Sequence, residues 1–168
     1  LLGSEITKAI SSQNANTIVL DINTENSYES KGVHCLKFDC SDLNNLETAF
    51  ISVINEFGCP DIFINCSYPR TEDWTKNTFE EISLESYKQN IDIHLNSYVW
   101  LAKLAAHQMV SNEKKGSIIQ FGSIYGLLGQ DLNIYEGTAM KENMSYSIIK
   151  GGITNLTRQM ASYYGQHG

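Results

Sequence analysis

Short β-branched runs alternate along this chain with longer segments whose apolar residues recur at helical spacing. No other feature of the sequence constrains the fold as strongly. The predicted strands cover 16–23, 33–40, 61–66 and 117–121, and the predicted helices cover 3–13, 42–57, 83–110 and 144–164. Strands separated by helices of this length form βαβ units, which give a parallel sheet with helices on both faces. The sequence therefore predicts an α/β fold with a doubly wound parallel sheet in three αβα layers.

The segment 42–57 has a clear helical pattern. Leu46 and Phe50 fall on one face of this helix, and Ser41 or Asp42 stands where an N-cap side chain is expected. We therefore expect the helix to begin at that cap.

The chain is expected to form a single domain over residues 1–168, because no segment rich in proline, glycine or serine divides it. It begins with LLGSEITKAI, without an initiator methionine, and stops directly after the last predicted helix. We therefore expect a piece of a longer reading frame, truncated at both ends, that lacks a first strand and the strands after the last helix.

The charge of the chain argues against two classes of partner. The formal net charge is −7, whereas nucleic acids and anionic membrane surfaces are bound through clustered lysines and arginines. No apolar run is long enough to span a bilayer, and no signal peptide is recognisable. We expect neither a nucleic acid nor a membrane as partner.

Cysteine usage favours a reducing compartment. The four cysteines form no C-x-x-C pair and have no histidine at metal-ligand spacing. We therefore expect reduced, mostly buried thiols in a cytoplasmic protein, and no metal site.

Asp21 ends a predicted strand, and ligands of doubly wound sheets bind at the carboxyl ends of the strands. A carboxylate there accepts hydrogen bonds from a ribose diol and repels a 2′-phosphate. Ile22 and Asn23 follow, where an arginine would accommodate that phosphate. This interpretation predicts NAD(H) in preference to NADP(H); the alternative is a solvated aspartate at a strand end.

The sequence SYSIIKGG, residues 145–152, places Tyr146 four positions before Lys150 at the start of a predicted helix. Such a spacing puts both side chains on one helical face. Because a Tyr-x-x-x-Lys pair also arises by chance in a chain of this composition, its meaning depends on the surrounding sequence.

That surrounding sequence resembles the short-chain dehydrogenase/reductase family along essentially the whole chain. LLG before the first helix resembles the end of the family's glycine motif, with Gly3 as its last glycine. FDCSD (38–42) resembles the block whose Asp39 lies beside the adenine. INCSYPR (64–70) stands where the family has Asn-Asn-Ala-Gly, and only Asn65 matches. GSIIQFGSIYG (116–126) and YSIIKGGITNLTRQMA (146–161) resemble the catalytic serine block and the active-site helix.

The resemblance implies a Rossmann-like fold and an NAD-dependent oxidoreductase. Tyr146 would be the general acid/base, Lys150 would hold the nicotinamide ribose and favour the phenolate, and Ser123 would orient the substrate carbonyl. The implied cofactor-binding residues are Gly3, Asp21, Asp39, Cys40, Asn65, Cys66, Ser67, Tyr146 and Lys150. The family also implies a homodimer or homotetramer that acts on a small molecule.

His94 stands at the register of the family's active-site asparagine. Histidine relays protons and its ordinary pKa is near 6.5, so we expect it to serve in a proton relay. The alternative is a buried, hydrogen-bonded histidine that fills the site.

The stretch between Ser123 and Tyr146 is longer than is usual in the family and lies where the substrate enters. Its Tyr135 and Glu136, with Tyr125 before them, are candidate substrate ligands. The phrase IYEGTAM…YSIIK resembles the flagellin-modification and nonulosonic-acid subgroup, which implies a sugar or sugar-derived substrate. Two alternatives stay open: a sugar-nucleotide epimerase or dehydratase, and a dinucleotide-binding module without catalysis.

Overall fold

The computed structural model describes residues 2–24 and 32–168. Leu1 of the LLG motif lies outside them. The helices are α1 (Leu2–Ser11), α2 (Leu46–Phe57), α3 (Leu84–Asn90), α4 (Ser97–Ser111) and α5 (Met144–Tyr164). The strands are β1 (Thr17–Asp21), β2 (Val33–Lys37), β3 (Ile62–Asn65) and β4 (Ser117–Gln120).

All strand pairing in the described residues is parallel. β1 pairs with β2 and β3 pairs with β4, so the alternation of strands and helices confirms the predicted α/β class. The strands form two parallel ladders of two strands each in this part of the chain. Neighbouring strands of one sheet lie about 4.8 Å apart. Between β1 and β3 there is instead a cavity of about 1260 Å³, lined by Val19 of β1 and Phe63 of β3.

Two apolar clusters hold the helices in place. The first joins α2, α4 and the segment after β2, and contains Phe38, Leu46, Phe50, Leu101, Leu104 and Ala105. The second contains Trp74, Tyr98, Ile149 and Ile153, with Tyr146 packed against it. Because the second cluster anchors the first half of α5, it fixes the helix that carries the Tyr-x-x-x-Lys pair.

The predicted start of the second helix is wrong. α2 begins at Leu46, after the N-cap residue Asn45. An Asp39 carboxylate oxygen accepts hydrogen bonds from the backbone N–H and the hydroxyl of Ser41, and Asn45 donates to Asp42. These local side-chain bonds hold residues 41–45 in turns and compete with the helix.

The predicted helix 83–110 is interrupted. Ser83 caps α3 by accepting a hydrogen bond from Ser86, but the stretch Ile91–Asn96 is a π-helix before α4 begins. Such π-helical stretches are often found at functional sites, and His94 lies inside this one. All four cysteines are free, as expected for reduced thiols, and each is partly buried.

Candidate active site

The start of α5 is capped by Asn143, whose side-chain oxygen accepts a hydrogen bond of 2.8 Å from the backbone N–H of Tyr146. One turn later, Lys150 is only 3 % exposed. Its ammonium donates a hydrogen bond of 2.8 Å to the Phe121 carbonyl and lies 5.8 Å from the centre of the Tyr146 ring. Burial lowers the pKa of Lys150 to about 8. The helix thus holds a desolvated cation beside the Tyr146 phenol.

Ser123 lies two residues after Phe121 and begins a 3₁₀ turn, Ile124–Gly126, that packs against α5. A Cβ at Gly126 would lie 2.5 Å from the Lys150 carbonyl oxygen, so only glycine permits this approach. The Tyr125 ring lies 6.5 Å from the Tyr146 ring. The structure therefore brings the predicted serine segment to the part of α5 that carries Tyr146 and Lys150.

His94 is fully buried among aromatic rings. Its ring centre lies 5.1 Å from that of Tyr68 and 5.5 Å from that of Tyr98. Burial, assisted by the positive charge of Lys150, lowers its pKa to about 3. The Pro69 carbonyl acts in the opposite direction, but neither ring nitrogen has a hydrogen-bond partner among the described residues.

The ordinary pKa expected for His94 is therefore wrong, because the sequence does not reveal how completely its neighbours exclude water. The imidazole is neutral at physiological pH. The alternative, a buried histidine that fills the site, stays a prediction, and the backbone of Pro69 is the group that acts on its ring to raise the pKa.

Most of the predicted cofactor residues share the cavity between β1 and β3. Those that line it are Gly3, Asp21, Asp39, Cys40, Asn65, Cys66 and Ser67. Tyr146 and Lys150 are not on its lining, but Tyr68 joins the two regions. The Tyr68 ring lines the cavity and lies 6.2 Å from the Tyr146 ring and 5.8 Å from the Lys150 ammonium.

The polar groups of this cavity suit a ligand with hydroxyl and amide groups. Asn65 accepts a hydrogen bond of 2.7 Å from the Ser67 hydroxyl, whereas its buried side-chain N–H₂ has no partner among the described residues. Asp21 is exposed at the end of β1 and accepts a hydrogen bond from the backbone of Asn23. A Cβ at Gly3 would lie 3.1 Å from the Cys66 sulfur, so a larger residue there would crowd this side of the cavity. The residues present therefore fit a dinucleotide.

Of the predicted substrate residues, two tyrosines lie in one group. Tyr135 donates a hydrogen bond to Gln130, and interaction with the Tyr125 phenol, chiefly hydrogen bonding, raises the pKa of Tyr135 to about 12. Gln130 in turn donates to the Ser147 hydroxyl of α5. Glu136 has an exposed side chain, and its backbone N–H bonds to Asn133.

Sequence reasoning missed three residues that shape the site. Tyr98 lies one helical turn after His94, and this spacing was a signal that was available. Trp74 begins a short 3₁₀ turn and Gln130 lies in an irregular segment, and in neither is there a periodicity to mark a side chain that packs against a distant helix.

In the described residues, no helix is both long and apolar enough to cross a bilayer. No group of three or more histidine, cysteine, aspartate or glutamate side chains in this part of the chain is arranged to hold a metal ion.

Comparison with known proteins agrees with this geometry. A family model described as enoyl-(acyl carrier protein) reductase matches residues 2–168. A short-chain dehydrogenase from Leptospira borgpetersenii, solved with bound NAD+, superposes with a TM-score of 0.84 at 28% identity. The chain belongs to the short-chain dehydrogenase/reductase family. This superposition covers 99% of the chain and 62% of the Leptospira family member.

Two curated proteins are similar to this chain along nearly its whole length. Post-translational flagellin modification protein A of Campylobacter coli is 30% identical, over 95% of this chain and 66% of that protein. Galactitol 2-dehydrogenase of Agrobacterium fabrum is 24% identical, over 99% of this chain and 62% of that protein. The chain spans less than two thirds of the length of these family members.

Proposed function

We propose that this protein is an NAD(H)-dependent oxidoreductase that interconverts a secondary alcohol and a ketone on a sugar or sugar-derived metabolite. One observation carries the proposal. The buried Lys150 ammonium lies beside the Tyr146 ring, and Tyr68 connects this pair to the cavity that Asp21 lines. Family membership supports the reaction class.

The roles of the site residues follow from their chemistry. Bound nicotinamide dinucleotide supplies or accepts the hydride. Tyr146 moves the proton at the substrate oxygen, and the ammonium of Lys150 lies 5.8 Å from the centre of its ring. The hydroxyl of Ser123 donates a hydrogen bond to that oxygen as negative charge develops. Each group acts from a backbone position that α5 or the adjoining turn fixes.

The cofactor is held by the cavity residues Gly3, Asp21, Asp39, Cys40, Asn65, Cys66 and Ser67, and by Tyr146 and Lys150. Asp21 favours NAD(H) over NADP(H), because its exposed carboxylate repels a 2′-phosphate. The bound NAD+ of the Leptospira dehydrogenase supports this assignment. We expect Asp21→Asn to bring the dissociation constants of NADH and NADPH closer together, and an unchanged ratio would remove Asp21 from this role.

His94 serves the proton relay as a neutral imidazole, which donates through one ring nitrogen and accepts through the other. Its place in the π-helical stretch, with its ring centre 5.1 Å from that of Tyr68, supports this role. We expect His94→Ala to reduce turnover while leaving the affinity for NAD unchanged. Unchanged turnover would take His94 out of the mechanism.

The substrate is a sugar-like polyol. Tyr125, whose ring lies 6.5 Å from that of Tyr146, and Tyr135 and Glu136 in the segment that follows offer hydroxyl and carboxylate groups, and such groups suit a ligand rich in hydroxyls. The name of the galactitol dehydrogenase supports this class.

The protein works in the cytoplasm as a homodimer or homotetramer. Its free thiols suit a reducing compartment. The assembly is supported by partly exposed apolar side chains on α4 and α5, at Trp100 and Ile148, which a second copy would cover. Light scattering of the purified protein tests the assembly, and a monomer at micromolar concentration would refute it.

A spectrophotometric screen with NAD+ and a panel of sugars and polyols tests the proposed reaction. We expect net NADH formation that Tyr146→Phe abolishes while NADH binding persists. Product formed without net NADH would instead indicate the epimerase or dehydratase. Binding without any turnover would indicate a dinucleotide-binding module.

A further inference from the structure

A buried polar network lies beside the first turn of α5, outside the groups that act on the substrate. Asn77, Asn90 and Ser145 are each fully buried, and Ser86 is nearly so. Asparagine side chains are rarely buried in this way unless their polar groups are bonded. The network joins three parts of the chain: the loop before α3, α3 itself, and α5.

Asn77 is at the centre of this network, and its side chain makes all four of its hydrogen bonds. Its Nδ2 donates to the Asp73 carbonyl and to the Ser86 hydroxyl. Its Oδ1 accepts from the Ser145 hydroxyl at 2.7 Å and from the Asn90 amide at 3.1 Å. Because a backbone carbonyl only accepts, the bond to Asp73 fixes which end of the amide faces Ser145.

Asn90 of α3 stabilises the same polar network. Its side-chain oxygen accepts from the backbone N–H of Thr71, and its amide nitrogen donates to the Thr71 hydroxyl at 2.7 Å. The hydroxyl of Ser86 donates to a carboxylate oxygen of Asp73. The loop that carries Asn77 is therefore bonded to Ser86 and Asn90 of α3.

The network reaches α5 at the residues directly before Tyr146. The backbone N–H of Met144 donates to the Asn77 carbonyl at 2.8 Å, and the Ser145 hydroxyl donates to the Asn77 side chain. The cap residue Asn143 donates to the Trp74 carbonyl at 2.9 Å. Three consecutive residues before Tyr146 are thus bonded to the short segment 74–77.

We propose that Asn77 and Asn90, acting through Ser145, are positioning residues that set the location of Tyr146 relative to Lys150. This inference rests on the proposed function. The first turn of a helix lacks internal bonds for its N–H groups and frays readily, whereas Lys150 lies one turn deeper and is bonded to Phe121. The network therefore holds the part of α5 that would otherwise move. A displacement of about 1 Å in such a site costs about a hundredfold in rate.

The test uses Ser145→Ala, which removes one hydroxyl from the network, and Asn77→Ala, which removes its centre. Ser52→Ala is the matched control, because the Ser52 hydroxyl bonds only within α2, to the Thr48 carbonyl, and is exposed. Phe50→Leu, in the first apolar cluster, controls for loss of stability alone. All variants are introduced into the whole protein and not into an isolated segment of it.

We expect both network variants to lower kcat about tenfold or more, to leave the dissociation constant of NADH unchanged, and to displace the pH profile of kcat. The controls are expected to keep the wild-type pH profile. If Asn77→Ala fails to fold, Ser145→Ala alone decides. A Ser145→Ala enzyme with wild-type kcat and pH profile would overturn the proposal.

Amide hydrogen exchange separates this proposal from the proposed function, because it needs no turnover. We expect the Tyr146 N–H to exchange about fivefold faster or more in Ser145→Ala, as loss of one hydrogen bond predicts, and to be unchanged in Ser52→Ala. If the wild type turns over no substrate but this exchange difference appears, the proposed function fails and the positioning of Tyr146 stands. If exchange at Tyr146 is equal in both variants, the positioning proposal fails whatever the activity.

Discussion

Replacing Lys150 by methionine is expected to stabilise the protein at neutral pH while abolishing its activity. Burial lowers the pKa of this ammonium from 10.5 to about 8. Since one pH unit corresponds to about 1.4 kcal/mol, keeping the buried group charged costs about 3 kcal/mol. Methionine removes that cost but also removes the hydrogen bond to the Phe121 carbonyl, which contributes about 1 kcal/mol. The net gain in the free energy of unfolding at pH 7 is about 1–2 kcal/mol.

The pH dependence gives the sharper test. Between about pH 8 and pH 10.5 the unfolded chain still binds a proton at Lys150 that the folded protein has released. The wild type therefore gains stability from this group as the pH rises through that window, and Lys150→Met does not. The difference in the free energy of unfolding between Lys150→Met and the wild type is expected to shrink and then change sign, so that the wild type becomes the more stable protein.

Urea unfolding at a series of pH values measures this difference. Lys88→Met is the matched control, because Lys88 is an exposed lysine on α3, and it is expected to run parallel to the wild type. A Lys150→Met protein that is less stable than the wild type at pH 7, with a difference that stays constant up to pH 10.5, would refute the reasoning. It would mean that the ammonium is solvated and not buried.

Gly126→Ala is expected to lower the free energy of unfolding by about 2 kcal/mol or more and to reduce turnover, because its Cβ would overlap the α5 backbone at Lys150. Gly129→Ala, where a Cβ meets nothing within 4 Å, is the control, and equal stabilities in thermal unfolding would contradict the packing argument. The pKa of His94 is lowered from 6.5 to about 3, so between these pH values the unfolded chain binds a proton at this residue that the folded protein does not. The free energy of unfolding is therefore expected to fall as the pH decreases below 6.5. An NMR titration in which the His94 imidazole protonates near pH 6.5 would show that it is not shielded from water.

The amino-acid sequence alone determined the fold class and the order of the chemical groups along the chain. Strand and helix periods are local properties, so the alternation predicted parallel βαβ units, and α5 begins and ends where its pattern predicted. Helical geometry likewise placed Tyr146 and Lys150 on one face before any tertiary contact was known. The prediction failed where side chains compete locally with the backbone, as Asp39 does ahead of α2.

Only the tertiary structure decided how these groups behave. The lowered pKa values of Lys150 and His94 come from burial by residues distant in sequence, which no local pattern encodes. The same holds for the bond between Asn77 and Ser145, which lie on separate segments and meet only when α5 packs against the loop before α3. Local periodicity fixes which elements form, whereas desolvation and hydrogen bonding across the fold fix their chemistry.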